Sequence, residues 1–301
     1  MNDIVIVGAG PAGIAAAIAA SQCGVRVTVL DDNPAVGGQI WRGGGYSNSW
    51  IERLSHTDAK VITGARVVSG DALSQTLLVE RGDNSEHIPY AKLVLATGAR
   101  ELFLPFPGWT LPNVMGVGAL QALVKSGLPI AGKRIVVAGS GPLLLAVASY
   151  LEKSGARVPL IAEQASFGSL AGFTASLVAH PGKLMQAVSL YPRRYLTGCW
   201  IEAVLGTNQV QTVRLRRHSR VWEEPCDYVA NAYGFVPNTE LATLLGCALR
   251  DGVVKVDFSQ QTSVANIYCA GETAGIGGVD TALVEGQIAG YAASGDRKSV
   301  V

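Results

Sequence analysis

The sequence predicts an α/β fold made of two Rossmann-like domains, one inserted in the other. Three observations predict this fold class. A glycine turn, Gly8-x-Gly10-x-x-Gly13, separates an apolar strand-length run from an alanine-rich helical run near the start of the chain. A similar turn, Gly139-x-Gly141, stands between a strand run and a helical run in the middle of the chain. Proline and glycine cluster at 104–113 and 233–238, which marks two candidate crossovers between domains.

Composition supports two domains with a large interior. The chain of 301 residues is longer than most single compact cores, and 49% of its residues are hydrophobic. Only 16% are charged, which leaves surface for partner subunits to cover. The 24 basic and 23 acidic side chains give a formal net charge of +1. This balance does not support nucleic-acid or anionic-membrane binding, so we expect small-molecule and protein partners and no nucleic acid.

Targeting and cysteine patterns point to a cytoplasmic protein. The opening MNDIVIVGAG enters a strand pattern directly, without a cleavable apolar leader, and longer apolar runs are interrupted before they reach membrane-spanning length. We therefore expect no transmembrane segment. The five cysteines are scattered and include no C-x-x-C pair, which argues against a disulfide framework, a zinc site and a redox-active dithiol.

The first unit reads as strand, turn, helix and strand, with apolar strands at Ile4–Val7 and Val25–Leu30. In this pattern the first glycine makes the tight turn, the second lets the backbone approach a pyrophosphate, and the third lets helix and strand pack closely. The amino end of the helix offers free N–H groups to phosphates. Asp31, at the end of the second strand, could accept hydrogen bonds from ribose hydroxyls. These features predict a dinucleotide-binding unit.

The second unit repeats the pattern with one difference. Strands are expected at Arg134–Ala138 and Val158–Ala162, with a helix at Pro142–Lys153 between them. Leu144 stands where the third glycine is expected, and it should either push helix and strand apart or cover the place where pyrophosphate approaches. The candidate residues for a second nucleotide, ATP or NAD, are Gly139, Gly141, Pro142, Leu143 and Glu163. Regulatory or structural nucleotide binding, an empty domain and active use of NADH all stay open.

Two nucleotide units in one chain suggest an insertion. The predicted FAD-type domain spans 1–112 and 234–301, and the predicted NAD(P)-like insert spans 113–233.

Two further motifs give a family resemblance. A strand followed by Ala96-Thr97-Gly98 lies between the units, and a strand running into Gly271-Glu272 lies near the end of the chain. With the two turns, these motifs resemble the flavoproteins with two dinucleotide domains, such as glutathione and thioredoxin reductases. The resemblance implies that the chain binds FAD, with Glu272 at the ribityl end in place of the usual, shorter Asp. A helix-capping role for Glu272 is the alternative.

A third motif narrows the resemblance. The segment GGQIWR, with Gly38, Gln39 and Arg42, is similar to one in FAD-containing subunits of multisubunit amine dehydrogenases. That group includes octopine, nopaline and hydroxyproline dehydrogenases, hydrogen cyanide synthase and the α-chain of sarcosine oxidase. A plain loop with a solvated Arg42 is the alternative. The residues implied for FAD are Gly8, Gly10, Pro11, Ala12, Gly13, Asp31, Asp32, Gly38, Gln39, Arg42, Ala96, Thr97, Gly98, Gly271, Glu272 and Gly278.

The sequence offers no catalytic side chain. No cysteine pair suits dithiol chemistry, and none of His56, His87, His180 and His218 has a carboxylate at informative spacing. The resemblance therefore implies an electron-transfer subunit, with substrate oxidised by a separate FAD subunit. It also implies a [2Fe–2S] cluster on a small partner subunit. The expected substrate is an amino acid or secondary amine of hydroxyproline or opine type. A stand-alone NADH-dependent flavin reductase and a non-enzymatic FAD-binding module are the alternatives.

Overall fold

The chain forms two compact units in a computed structural model that describes residues 3–41, 49–169 and 194–296. The first unit comprises Met1–Arg100 and Phe235–Val301, and the second comprises Glu101–Gly234. The first crossover thus falls at residues 100 and 101 rather than at 112 and 113. The cause is packing, because Phe106 and Leu111 lie against a core cluster of the second unit. The second crossover lies one residue after the expected position.

The described residues of the segment that begins the first unit form eight strands and three helices. They are β1 (Asp3–Val7), α1 (Pro11–Gln22), β2 (Arg26–Asp31), α2 (Gly38–Trp41), α3 (Ser49–Ser55), β3 (Lys60–Thr63), β4 (Arg66–Asp71), β5 (Thr76–Arg81), β6 (Asn84–Pro89), β7 (Lys92–Leu95) and β8 (Ala99–Glu101).

The second unit and the closing segment of the first unit follow. The second unit holds β9 (Val114–Gly116), α4 (Val117–Lys125), β10 (Ile135–Gly139), α5 (Leu143–Lys153), β11 (Ile161–Glu163), β12 (Tyr195–Thr197), β13 (Cys199–Leu205), β14 (Thr212–Arg217), β15 (Arg220–Pro225) and β16 (Tyr228–Ala232). The closing segment holds β17 (Phe235–Pro237), α6 (Glu240–Leu244), β18 (Leu249–Arg250), β19 (Val253–Val254), β20 (Ile267–Cys269), a 3₁₀ turn (Gly271–Thr273) and α7 (Val279–Ser294).

Both units combine a parallel five-stranded sheet with an antiparallel three-stranded sheet. The first has a parallel five-stranded sheet in the order β20-β7-β1-β2-β3 and an antiparallel three-stranded sheet, β4-β5-β6. The second has a parallel sheet in the order β9-β16-β10-β11-β12 and an antiparallel sheet, β13-β14-β15. In each unit the glycine turn follows the central strand. Ligands of such sheets bind outside the carboxyl ends of the strands, which is where both turns lie.

The core of the first unit has one layer on each face of its parallel sheet. On one face α1 and α7 pack through small residues, because a Cβ on Gly286 would lie 2.2 Å from the Ala12 carbonyl oxygen. A Cβ on Gly290 would lie 2.4 Å from the carbonyl oxygen of Ala16. The antiparallel sheet covers the other face, where Leu77 is fully buried. Small residues therefore set how closely the two helices approach.

The second unit repeats this layering. Helices α4 and α5 cover one face of its parallel sheet with buried leucines such as Leu120 and Leu151. The antiparallel sheet covers the other face through Ile201 and Leu215. None of the helices in the described parts of the chain is long and apolar enough to cross a membrane.

Candidate functional site

The first glycine turn accepts no side chain at two of its glycines. Gly8 has a φ of +105°, and a Cβ there would lie 2.2 Å from the carbonyl oxygen of Ala96. A Cβ on Gly13 would lie 1.8 Å from the carbonyl oxygen of Gly8. The turn is therefore held against β1, α1 and the strand end at Ala96 by direct backbone contact.

Gly10 has the opposite environment. A Cβ on this residue would meet no atom within 4 Å, so the space in front of it is open. Gly10 is the N-cap of α1, and Pro11 opens the helix. Because the first N–H groups of a helix lack partners within it, this open space faces donors suited to an anion. Ala12 contributes backbone only, since its side chain is buried.

Asp31 holds the turn from inside the protein. One carboxylate oxygen accepts the N–H of Ala9 at 2.5 Å, and the other accepts the backbone and side-chain N–H groups of Asn33, each at 2.8 Å. Asp31 is 6% exposed, whereas the neighbouring Asp32 is exposed and accepts a bond from Asn33. Asp31 thus fixes the loop through these bonds.

The GGQ segment lies beside the first turn. Gly37 donates its N–H to the carbonyl oxygen of Ala9 at 2.8 Å. Gly38 has a φ of +58°, and a Cβ there would lie 3.1 Å from the Cα of Gly10. Gln39 is exposed on α2. Arg42 lies outside the described residues.

A hydrogen-bond network fixes the Ala96-Thr97-Gly98 segment. The hydroxyl of Thr97 donates to the carbonyl oxygen of Asn238 at 2.7 Å, and the side-chain amide of Asn238 donates back to the Thr97 carbonyl at 2.9 Å. Thr273 donates its hydroxyl to the carbonyl oxygen of Gly98 at 3.2 Å. Asn238 and Thr273 were absent from the sequence predictions. The nearby Pro237 and Glu272 were the only local signals for them.

The Gly271-Glu272 segment packs against the start of α1. Gly271 has a φ of +77°, and a Cβ there would lie 2.8 Å from the Cβ of Ala12. Its N–H donates to a carboxylate oxygen of Glu285 at 2.9 Å, a residue that the sequence did not single out. Burial raises the pKa of both Glu272 and Glu285. Within the described residues Glu272 has no hydrogen-bond or ion-pair partner, so helix capping is not its role.

The structure therefore gathers most of the predicted residues of the first unit. Ala96 contacts the turn at Gly8, Gly38 contacts it at Gly10, and Gly271 contacts the start of α1. Gly278, the N-cap of α7 with a φ of +83°, has open space around its Cβ position.

The second turn has matching backbone geometry. Gly139 has a φ of +141°, and a Cβ there would lie 1.8 Å from the carbonyl oxygen of Ala232. Gly141 has a φ of +105° and open space in front of it. Pro142 is the N-cap of α5, and Leu143 is the first helical residue. The second unit thus keeps the shape of a phosphate-binding turn.

Glu163 lies in the interior of the second unit. It is fully buried, and its carboxylate accepts bonds from the N–H of Gly141 at 3.0 Å, the N–H of Ala165 at 2.7 Å and the hydroxyl of Tyr195 at 2.9 Å. These bonds tie the turn to the following loop. Glu163, a candidate residue for a second nucleotide, thus has its carboxylate engaged within the protein.

Leu144 corrects one expectation. Its side chain is fully buried in a core cluster with Val117 and Leu120, so it does not cover the space in front of Gly141. The N–H of Leu144 donates to the carbonyl oxygen of Gly141, three residues earlier, at 3.2 Å. In the first unit the N–H of Ile14 donates to the carbonyl oxygen of Gly10, four residues earlier. The leucine therefore alters the first turn of the helix and fills the core.

The five cysteines carry free thiols, and most of these thiols are buried. Four cysteines are buried and Cys23 is half-buried, all without disulfides. Burial raises the pKa of Cys199 to about 11 and that of Cys226 to about 12. His180 lies outside the described residues. Within residues 3–41, 49–169 and 194–296 no group of three or more metal-ligating side chains could hold a metal ion.

The two parallel sheets and their glycine turns define an α/β protein with two Rossmann-type dinucleotide-binding units, which confirms the predicted fold class. The model of the family "Pyridine nucleotide-disulphide oxidoreductase" matches residues 2–286, and the chain belongs to this family of oxidoreductases. Thioredoxin reductase from Lactococcus lactis shares the fold, with a TM-score of 0.77 at 18% identity over 98% of this chain and 99% of that chain.

Several relatives are named as enzyme subunits. Hydrogen cyanide synthase subunit HcnB of Pseudomonas aeruginosa is 32% identical over 95% of this chain and 69% of its own length. An opine oxidase subunit of Agrobacterium tumefaciens is 30% identical over 99% of this chain and 66% of its own length. The chain therefore spans about two thirds of the length of these relatives.

Proposed function

We propose that this chain is the FAD-binding electron-transfer subunit of a hetero-oligomeric dehydrogenase that oxidises an amino acid or a secondary amine. The observation that carries the proposal is the open space at Gly10, bounded by Gly8, Gly13 and Gly38, whose close contacts exclude side chains. A pyrophosphate fits there because backbone N–H groups and the positive end of α1 face it.

The remaining FAD contacts fall to the segments around the carboxyl end of the same sheet. Thr97 and Gly98 would line the path of the cofactor, held in position by Asn238 and Thr273. Glu272 would bind the ribityl hydroxyls, since it is half-buried and has no partner among the described residues. Gly278 would present the amino end of α7 to the flavin. Bound FAD supplies the capacity to accept electrons in pairs and to pass them on.

We propose that another subunit oxidises the substrate and that this chain transfers the electrons. Two observations support this assignment: the names of the relatives and the burial of the cysteines. HcnB and the opine oxidase relative are each named as subunits. Buried thiols with raised pKa values do not suit a dithiol relay, which needs an accessible thiolate. A second FAD subunit would therefore oxidise the substrate, of hydroxyproline or opine type, and a small subunit would carry a [2Fe–2S] cluster. The cytoplasmic location also stays a prediction from the sequence.

The second turn is proposed as a structural or regulatory site for ATP or NAD. The open space at Gly141 supports nucleotide binding, and the carboxylate of Glu163 is engaged by the turn, the following loop and Tyr195. We propose that a nucleotide bound here serves without hydride transfer. The rival function, a stand-alone NADH-dependent flavin reductase, is favoured by the preserved turn glycines Gly139 and Gly141.

Reconstitution separates the two functions. The FAD-loaded chain should oxidise neither the amine substrate nor NADH by itself, and substrate oxidation should appear only when the other subunits are added. Oxidation of the amine by the isolated chain would refute the division of labour. Rapid loss of the oxidised-flavin absorbance on anaerobic mixing with NADH would favour the rival.

A further inference from the structure

A groove in the second unit carries an unusual concentration of arginine. Its volume is about 640 Å³, within the range of about 300–1,000 Å³ typical of small-molecule sites. It lies along β12, the edge strand of the parallel sheet, and at the turn between β14 and β15. Its lining includes Arg194, Arg217, His218, Arg220 and Trp222.

Two of these arginines face each other. Arg217 ends β14 and Arg220 begins β15, and the two are direct cross-strand partners. Like charges opposite one another destabilise a sheet unless something neutralises them. Arg217 donates its Nε–H to the Thr197 carbonyl oxygen at 2.8 Å, and Arg220 stacks over Trp222 at 5.6 Å from the ring centroid. Neither makes an ion pair within the described residues.

The other face of the same hairpin shows the contrast. Arg214 pairs with Glu223 at 2.8 Å, and Arg216 pairs with Glu202. The arginines that point away from the groove are thus each neutralised by a glutamate, whereas the opposed pair in the groove is not. Unpaired positive charge is therefore a property of the groove rather than of the whole sheet.

The surroundings of the opposed pair add further donors and positive charge. Arg194 reaches the groove while it pairs with Glu224 at 3.2 Å. His218 occupies the turn with a φ of +53°, a conformation that favours glycine or asparagine, yet its imidazole lines the groove. The indole N–H of Trp222 is buried and has no partner among the described residues.

We propose that this groove binds a phosphate group, held between the guanidinium groups of Arg217 and Arg220 with Arg194 and His218 as further donors. Paired guanidinium groups match the geometry and charge of a phosphate dianion. The site lies two strands away from the second glycine turn, because β11 separates β12 from β10. The phosphate could come from inorganic phosphate or from the terminal phosphate of a nucleotide.

The test uses the full FAD-loaded chain at constant ionic strength. Calorimetric titration with inorganic phosphate, pyrophosphate and ATP should give saturable binding with a dissociation constant below about 1 mM for at least one of them. Arg217→Gln and Arg220→Gln should each weaken this binding by about tenfold or more. Arg214→Gln, on the other face of the same hairpin, should change it less than about twofold.

The outcomes distinguish the sources of the phosphate. Tighter binding of inorganic phosphate than of ATP would identify the free ion, and the reverse would identify a nucleotide. ATP binding that persists unchanged in Arg217→Gln belongs to the glycine turn and would contradict the groove as its site. Absence of saturable binding, or equal affinity in the wild type and both groove variants, would overturn the proposal.

Stability provides a second measurement. Without phosphate, Arg217→Gln should change the unfolding temperature little, because relief of the like-charge opposition offsets loss of the hydrogen bond to Thr197. Added phosphate should raise the unfolding temperature of the wild type and leave that of the variant unchanged. Equal increases in both would contradict the site. Unchanged flavin content in each variant keeps this test separate from that of FAD binding.

Discussion

Gly13 lies so close to Gly8 that a Cβ on Gly13 would come within 1.8 Å of the Gly8 carbonyl oxygen. Gly13→Ala must therefore displace backbone, because a carbonyl cannot move aside as a flexible side chain does. We expect a loss of about 1–3 kcal/mol in the free energy of unfolding, together with loss of bound FAD. Urea unfolding and the flavin content of the purified protein measure the two effects.

Gly10→Ala separates cofactor binding from stability. The added Cβ meets no protein atom within 4 Å and projects into the space proposed for the pyrophosphate. This variant should unfold like the wild type without FAD and should bind FAD at least about tenfold more weakly. Gly168→Ala, at an exposed position of the second unit, is the matched control. If Gly10→Ala bound FAD with wild-type affinity, this would contradict pyrophosphate binding at this turn.

Gly286→Ala tests the close packing of α1 and α7. Alanine normally stabilises a helix by about 1 kcal/mol relative to glycine, but here its Cβ would lie 2.2 Å from the Ala12 carbonyl oxygen. We expect net destabilisation by about 1–3 kcal/mol in urea unfolding. Val284→Ala, more than half exposed on the same helix, should change stability by less than about 0.5 kcal/mol. A stabilised Gly286→Ala variant would show that the helices are farther apart.

Because Glu285 is half-buried, we expect the free energy of unfolding to depend on pH. Burial raises its pKa above the ordinary value of 4.5, so the folded state holds this proton at pH values where the unfolded state has lost it. The contribution of Glu285 to the unfolding free energy therefore falls as pH rises from the ordinary pKa through the raised one. Glu285→Gln lacks this proton, so its stability relative to the wild type should increase as the pH rises above the ordinary pKa of 4.5. Parallel pH profiles from denaturant unfolding would contradict the burial of this carboxyl.

Thiol labelling tests whether the cysteines are too buried to take part in the reaction. Burial raises the pKa of Cys199 to about 11 and that of Cys226 to about 12, and Cys247 and Cys269 are also buried. An alkylating reagent at about pH 8 should therefore modify only Cys23 quickly in the folded protein and all five thiols after unfolding. Cys23→Ser should abolish the fast phase. Rapid labelling of a second cysteine in the folded protein would support a dithiol mechanism.

Local patterns predicted the fold because each one is set by nearby residues. Apolar runs of strand length around Gly8 and Gly139 became the central strands β1 and β10. Contacts between distant segments could not be predicted in this way. Asn238 bonds Thr97 although the whole second unit separates them in the sequence, and no local pattern marks an asparagine for that partner. Leu144 was expected either to push helix and strand apart or to cover the turn, because spacing alone does not show which way a helical side chain faces.

The central claim is that the turn at Gly10 and the segment at Gly271-Glu272 together bind FAD. The most direct measurement is the flavin content of the purified, folded chain, before and after incubation with excess FAD and removal of the unbound fraction. The account predicts about one FAD per chain, with an oxidised-flavin absorbance spectrum that Gly10→Ala loses and Gly168→Ala retains. A chain that is folded by circular dichroism, is colourless and takes up no added FAD would contradict it.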